Sequence, residues 1–252
     1  MGSSYKLFGV GTDAKTVHGE EFGVLTAVIY LAPSDVSERL NVCAYASDGC
    51  RKACLFSAGR AGVLPSITTA RIRKTLLFAD SREAWNGLLV ADCIRLEAEA
   101  KRRAMIPAAR LNATSDLPWE RIAVTIDGVR YPNIMTAFPG ITFYDYTKYP
   151  YAKRPASALP ANYTLTMSRS ETNEAECMVA LANGRNVAIP FAVKRGQPLP
   201  SSWRGWPVID GDRSDVRFAD PIGCIVGLRA KGQGIGDASG FIVSVDGNPD
   251  VE

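Results

Sequence analysis

The sequence predicts an α/β protein built on a parallel sheet, organised as a partial or complete (β/α) barrel. Three observations predict it. Short apolar, β-rich runs recur along most of the chain, helical patterns fall between several of them, and nearly every run stops at a cluster of polar residues. Apolar strands alternating with helices argue for a parallel sheet covered on its faces, and such sheets bind ligands at the carboxyl ends of their strands.

The first strand is expected within 24–32, VLTAVIYLA. A long loop follows, 33–62, rich in Pro, Asn, Ser and Gly. Loops of this length inside a compact domain are usually functional. Two helices are expected over about 66–104: ITTARIRKTLLFA, then SREAWNGLLVADCIRLEAEAKRRA, the second opened by a capping-box-like Asp80 and Glu83. Trp85, Leu88, Leu89, Asp92, Cys93 and Leu96 share one face of it at 3.6-residue spacing. The remaining strands are expected at 107–111, 141–144, 163–167, 186–191, 206–209 and 224–228, with helices at 116–125, 132–138 and 171–183. The chain reads as one domain over 1–252, with a core of about 24–231. The tail, 232–252, reads as exposed, with one short terminal strand.

Composition bounds the class. The chain has 252 residues, a hydrophobic fraction of 46% and a net charge of +3, which describes an ordinary core and only a mild basic excess. No run approaches the length a membrane span needs, and the N-terminal segment lacks the pattern of a signal peptide. The expected location is the cytoplasm, with no membrane partner.

Three of the six cysteines fall in the long loop, spaced Cys43-x6-Cys50-x3-Cys54. In a reducing compartment such clustering favours metal chemistry over disulfides. Thiolates take soft and borderline metals. Gly49 permits a tight turn, and Arg51, Lys52 and Arg60 would offset thiolate charge. The loop is therefore read as metal-binding, with Cys43, Cys50 and Cys54 holding an iron–sulfur cluster, of the 4Fe-4S kind. Zinc is the alternative, weakened by the lack of C-x2-C pairs. A fourth site stays open or is closed by Cys93, Cys177 or Cys224. The single histidine, His18, argues against a multi-histidine site.

The polar strand ends supply the other candidates. Asn112, Ser115 and Asp116 follow the second strand, where Ser115 or Asp116 could instead cap a helix beginning LPWER. Tyr144, Asp145 and Lys148 follow the third, mixing a phenol, a carboxylate and an amine suited to proton transfer. Ser168 and Arg169 follow the fourth and suit an anion, while Ser170 with Asn173 reads equally as a helix cap. The expected catalytic set is Asp116, Asp145 and Lys148, and the expected substrate-binding set is Asn112, Ser115, Tyr144, Ser168 and Arg169. Asp210, Asp212 and Asp215 read as a turn before a cation site.

The segments CAYASDGCRKACLFSAGRAG, RLNATSDLPW, TFYDYTK and LTMSRSETN, in that order, resemble the phage family of unknown function called gene product eighty-eight, over about residues 25–230. That resemblance implies a phage or prophage origin and supplies no activity. More loosely, a first strand followed by a three-cysteine loop is similar to radical S-adenosylmethionine enzymes. Those carry C-x3-C-x2-C; this chain keeps a C-x3-C pair but lacks the third spacing, which argues against S-adenosylmethionine as cosubstrate. The function expected is an iron–sulfur enzyme acting on a nucleotide, nucleic-acid base or small metabolite. The alternative is a zinc- or cluster-stabilised, non-enzymatic phage protein that binds nucleic acid or a host protein.

Overall fold

The computed structural model describes residues 5–11, 14–54, 56, 63–246 and 250. Its strands, in chain order, are β1 (Gly9–Val10), β2 (Val24–Val28), β3 (Ile106–Arg110), β4 (Val124–Ile126), β5 (Val129–Tyr131), β6 (Thr142–Thr147), β7 (Tyr163–Ser168), β8 (Val187–Phe191), β9 (Ser202–Trp203), β10 (Trp206–Asp210) and β11 (Ile225–Arg229). The helices are α1 (Ala14–Glu20), α2 (Asp48–Lys52), α3 (Pro65–Asp80), α4 (Arg82–Arg102), α5 (Ile134–Ala137) and α6 (Glu174–Ala182).

Nine strands form one sheet in the order β1-β2-β3-β6-β7-β8-β11-β10-β9. Every pairing from β2 to β10 is parallel; only the edge strands β1 and β9 pair antiparallel. A mostly parallel α/β sheet is thus present at the seven expected strand positions. The complete barrel is not: β1 and β9 are two open edges. From β2 to β8 each new parallel strand is laid on the same side of its predecessor, so right-handed crossovers place their connecting segments on one face.

That face carries the larger core. The helix α4 turns Trp85, Leu89, Cys93 and Leu96 toward Leu25, Ala27 and Ile29 of the β2 segment and Phe143 of β6. Asp92, on the same apolar face, is buried because it accepts the backbone N–H groups of Leu7 (2.7 Å) and Phe8 (3.0 Å), tying the N-terminal segment to the helix. The opposite face is filled by the β10–β11 connection: Val216 packs on Val24, Ala108 and Tyr144, and Asp215 pairs with Arg110 at 2.5 Å.

Several local expectations are corrected. Asp80 does not open a capping box; Ser81 occupies the N-cap without a side-chain bond, and Asp80 pairs with Arg39. No helix covers 116–125. The chain makes a single 3-10 turn, Trp119–Arg121, because Asn112 takes the Leu117 N–H and carbonyl that a helix would need. Asp145 and Thr147 belong to β6 rather than to a loop after it. Most described residues of the tail are exposed or half-buried, and it is anchored where Val243 bridges Phe191 and Ile242 and Val243 are buried.

Candidate functional site at the carboxyl end of the sheet

The long loop turns back over the carboxyl ends of the strands. Asp116 N–H donates to the Val42 carbonyl (2.8 Å), and the Cys43 thiol donates to the Thr114 carbonyl (3.7 Å). The cysteine loop therefore lies along the segment leaving β3. Its helix α2 is capped by Ser47, whose hydroxyl accepts the Cys50 N–H. Glu171, just beyond β7, accepts the Ser47 hydroxyl and the Gly49 N–H, each at 2.7 Å. Gly49 is required by close approach: a Cβ there would sit 2.7 Å from Phe241 Cβ and 2.8 Å from Glu171 Oε2. Arg169 holds that covering segment by donating to the Gly240 (2.7 Å) and Phe241 (3.2 Å) carbonyls.

All six cysteines are thiols. Burial pushes Cys43 up to about 12, and Asp116, Cys54 and Cys50 push in the same direction. Burial also raises Cys54, with charge on Cys50 adding to it, while Arg71 and Lys148 pull it down. The three thiols thus share one electrostatic neighbourhood with two cations. A preformed metal centre is not present: among the described residues no three Cys, His, Asp or Glu side chains converge in a coordinating group. Arg60 lies outside the described residues. Cys93 lies in the core cluster against which Cys43 packs, and Cys224 lies at the amino end of β11. Cys177, in the first turns of α6, faces the same cations as the site, Arg169 and Lys148.

The strand-end candidates divide into two groups. Asn112, Ser115, Asp116 and Asp145 are enclosed in a buried polar lattice. The Asn112 amide oxygen accepts Ser115 Oγ, Leu117 N–H and Trp119 Nε1, and its amide nitrogen donates to the Leu117 carbonyl and Asp145 Oδ2. Asp145, fully buried, also accepts the Asn112 N–H and the Tyr163 hydroxyl. Burial pushes Asp145 up to about 7 against the opposing pull of Arg110 and these hydrogen bonds. Asp116 accepts the Lys148 N–H (2.7 Å) and Arg154 Nη1 (3.1 Å), and burial likewise raises it. Tyr144 is buried on the sheet's other face, near Phe218 and Arg110.

At the hub of the lattice is Arg154, fully buried. It forms a fork with Glu120 (2.8 and 2.7 Å) and also reaches Thr147 Oγ1 and Tyr163. Arg154, Glu120 and Tyr163 are absent from the sequence-derived set. A charged residue in a Pro-rich loop reads as solvated, and no local signal marks partners more than thirty residues away.

In the second group Lys148 and Ser168 are half-buried. Lys148 Nζ bonds Ser168 Oγ and lies 5.4 Å from the Phe241 ring centroid. A cavity of ≈ 320 Å³ opens beside Arg169, lined also by Asp237, Gly240, Ile242 and Ser244. The aspartates of 210–215 form no cation site: Asp210 and Asp212 pair with Arg229 and Asp215 with Arg110. Ser170 does not cap α6; its N–H donates to Asn173 Oδ1.

The fold and site define a mixed α/β protein with a cysteine-bearing loop packed over the carboxyl end of a mostly parallel sheet. The chain matches the family Gene product 88 over residues 7–244 and belongs to that phage family, whose function is unknown. No curated protein and no solved structure matches it. The likeness to radical S-adenosylmethionine enzymes finds no support in these comparisons. No helix among the described residues is long and apolar enough to cross a membrane.

Proposed function

We propose that Cys43, Cys50 and Cys54 hold an iron–sulfur cluster, of the 4Fe-4S kind, and that the protein is an enzyme acting beside it on a nucleotide, nucleic-acid base or small metabolite. The observation that carries this reading is one electrostatic neighbourhood, shared by three thiols and the cations Arg71 and Lys148, at the ligand-binding end of a parallel sheet. The donor chemistry fits. The Cys43 and Cys54 thiols, raised by burial, are costly to ionise alone, and a bound metal centre supplies the positive charge that makes ionisation favourable. The convergence of the three sulfurs is part of the proposal, since metal binding and local folding are coupled in such loops.

When bound, the cluster would supply one-electron chemistry. The chain's own residues do the rest. Glu171 and Ser47 fix α2 and so the Cys50 backbone. Lys148, Ser168 and Arg169 bind the substrate's polar or anionic groups, with Lys148 placed to pass a proton. Asp116, Asp145, Asn112 and Ser115 act as positioning residues: Asp116 fixes the Lys148 backbone, and the others hold the segment beside Cys43.

The test is anaerobic purification, with metal and sulfide analysis and an optical spectrum, of the native chain and a Cys43/Cys50/Cys54→Ser variant. Iron and sulfide with broad visible absorbance, both lost in the variant, are expected. Colourless protein with stoichiometric zinc would overturn the iron–sulfur reading, and protein without metal would overturn both metal readings.

A further inference from the structure

Beside the cysteine loop the surface carries an aromatic and basic patch that the cluster reading does not use. Tyr45, two residues after Cys43, and Tyr149, just beyond β6, bring their rings to a 4.4 Å centroid separation at 52°. Lys153 bonds the Tyr45 hydroxyl and lies 5.1 Å from its ring centroid. Arg121 donates to the Lys153 carbonyl. The buried Arg154 guanidinium lies 5.3 Å from the Tyr149 ring centroid and anchors it from below. Lys153, Arg121, Arg51 and Lys52 are all exposed, and Arg51 reaches back to the Ala46 carbonyl, which places it at the edge of the same patch. The nearby carboxylates cancel this charge only in part. The Glu120 side chain is buried and forks onto Arg154, with Arg121 3.8 Å from it, Asp35 approaches Arg51 (3.7 Å), and Asp48 remains exposed on α2.

We propose that Tyr45, Tyr149, Lys153 and Arg121 form a docking platform for single-stranded nucleic acid at the rim of the cysteine site. Half-buried tyrosines offer ring surface to an unstacked base, and every base has a face that stacks on it. Lys153 has ammonium donors left after bonding Tyr45, and Arg121 has guanidinium donors left after bonding the Lys153 carbonyl and pairing with Glu120 at 3.8 Å; both suit phosphate oxygens. Duplex DNA hides its base faces, so the platform selects single strands. An acidic peptide would satisfy the cations and leave the ring faces unused. The proposal names the polymer for the site described above. It rests on that reading for the use of the site and not for the binding itself.

The test is fluorescence anisotropy with a labelled oligothymidylate and an oligouridylate, on protein as purified and after chelation, so that failure of the metal reading leaves the binding result intact. Single-strand binding that weakens as salt rises is expected. Tyr45→Ala and Tyr149→Ala should each weaken it about tenfold, the scale of one lost base stack. Lys153→Gln with Arg121→Gln should flatten the salt dependence, while Lys101→Gln with Arg102→Gln, at the far end of α4, should leave it unchanged. Circular dichroism and urea midpoints establish that each variant is folded, and Tyr45→Phe, which keeps the ring, should retain the affinity. No binding at low salt, equal affinity for duplex or polyglutamate, or affinity indifferent to both tyrosines would each overturn the proposal.

Discussion

Asp145 should make the protein less stable as pH rises from about 4 to about 7, and Asp145→Asn should remove that part of the pH dependence. The carboxyl is fully buried and pushed up to about 7 by burial, against about 3.9 in an unfolded chain. Between those values the folded protein holds a proton that the unfolded chain has released. Folding is then linked to proton uptake, and stability declines with rising pH across the window. Below it both states are protonated and above it both are ionised, so the contribution is flat at either end. Three pH units at about 1.4 kcal/mol each give about 4 kcal/mol, a large share of the roughly 5–15 kcal/mol that holds a domain together. The asparagine keeps the shape and can still accept the Asn112 N–H, which now donates at 2.7 Å. Its loss of the Asn112 side-chain contact is the same at every pH. Asp220, pushed up to about 6, has the same sign but is common to both proteins. Urea unfolding of both at a series of pH values from 4 to 8 should therefore show the difference moving in the variant's favour by several kcal/mol. Parallel profiles, within 1 kcal/mol throughout, would refute the reasoning.

Three further outcomes follow from the same geometry. Arg154→Met removes the buried guanidinium from Asp116 and leaves Glu120 with only the 3.8 Å contact to the exposed Arg121, and should cost about 3–5 kcal/mol in urea unfolding, with part of the loss recovered in Arg154→Met/Glu120→Gln. Gly49→Ala forces a Cβ against Phe241 and Glu171 and should cost about 1–3 kcal/mol, together with faster proteolysis within the cysteine loop. Cys43, pushed up to about 12, should be alkylated roughly a thousandfold more slowly at pH 8 in metal-free folded protein than in urea, since the thiolate is the reacting form; mass spectrometry of timed samples reads this directly.

The strands were legible because a strand of a doubly covered parallel sheet must be apolar on both faces, and VLTAV in β2 and VAIPF in β8 carry that requirement in their own letters. The α4 face was legible for the same kind of reason, with Trp85, Leu89, Cys93 and Leu96 repeating at helical spacing. The segment after β3 was not. Its letters, LPWER after Ser-Asp, carry a helix-start signal, and the outcome was decided by the Asn112 side chain, which competes for the same backbone groups. Likewise Arg154 becomes a buried hub only once Glu120, Asp116 and Tyr163 are assembled around it from distant positions.

Position at a strand end therefore does not by itself assign a polar residue to ligand binding. Asn112, Asp116 and Asp145 sit where a parallel sheet binds its ligands, yet each is saturated by protein partners. Lys148 and Arg169 differ from these: Lys148 is half-buried with its ammonium bonded to Ser168, and the Arg169 guanidinium, held by the Gly240 and Phe241 carbonyls and by Glu174, lines a cavity. The two groups are mechanically linked, since Asp116 of the closed lattice holds the Lys148 backbone and Arg169 holds the segment that covers α2. A substitution in the lattice should therefore reach the site by displacing Lys148, whereas one at Lys148 should alter ligand binding and leave the urea midpoint nearly unchanged.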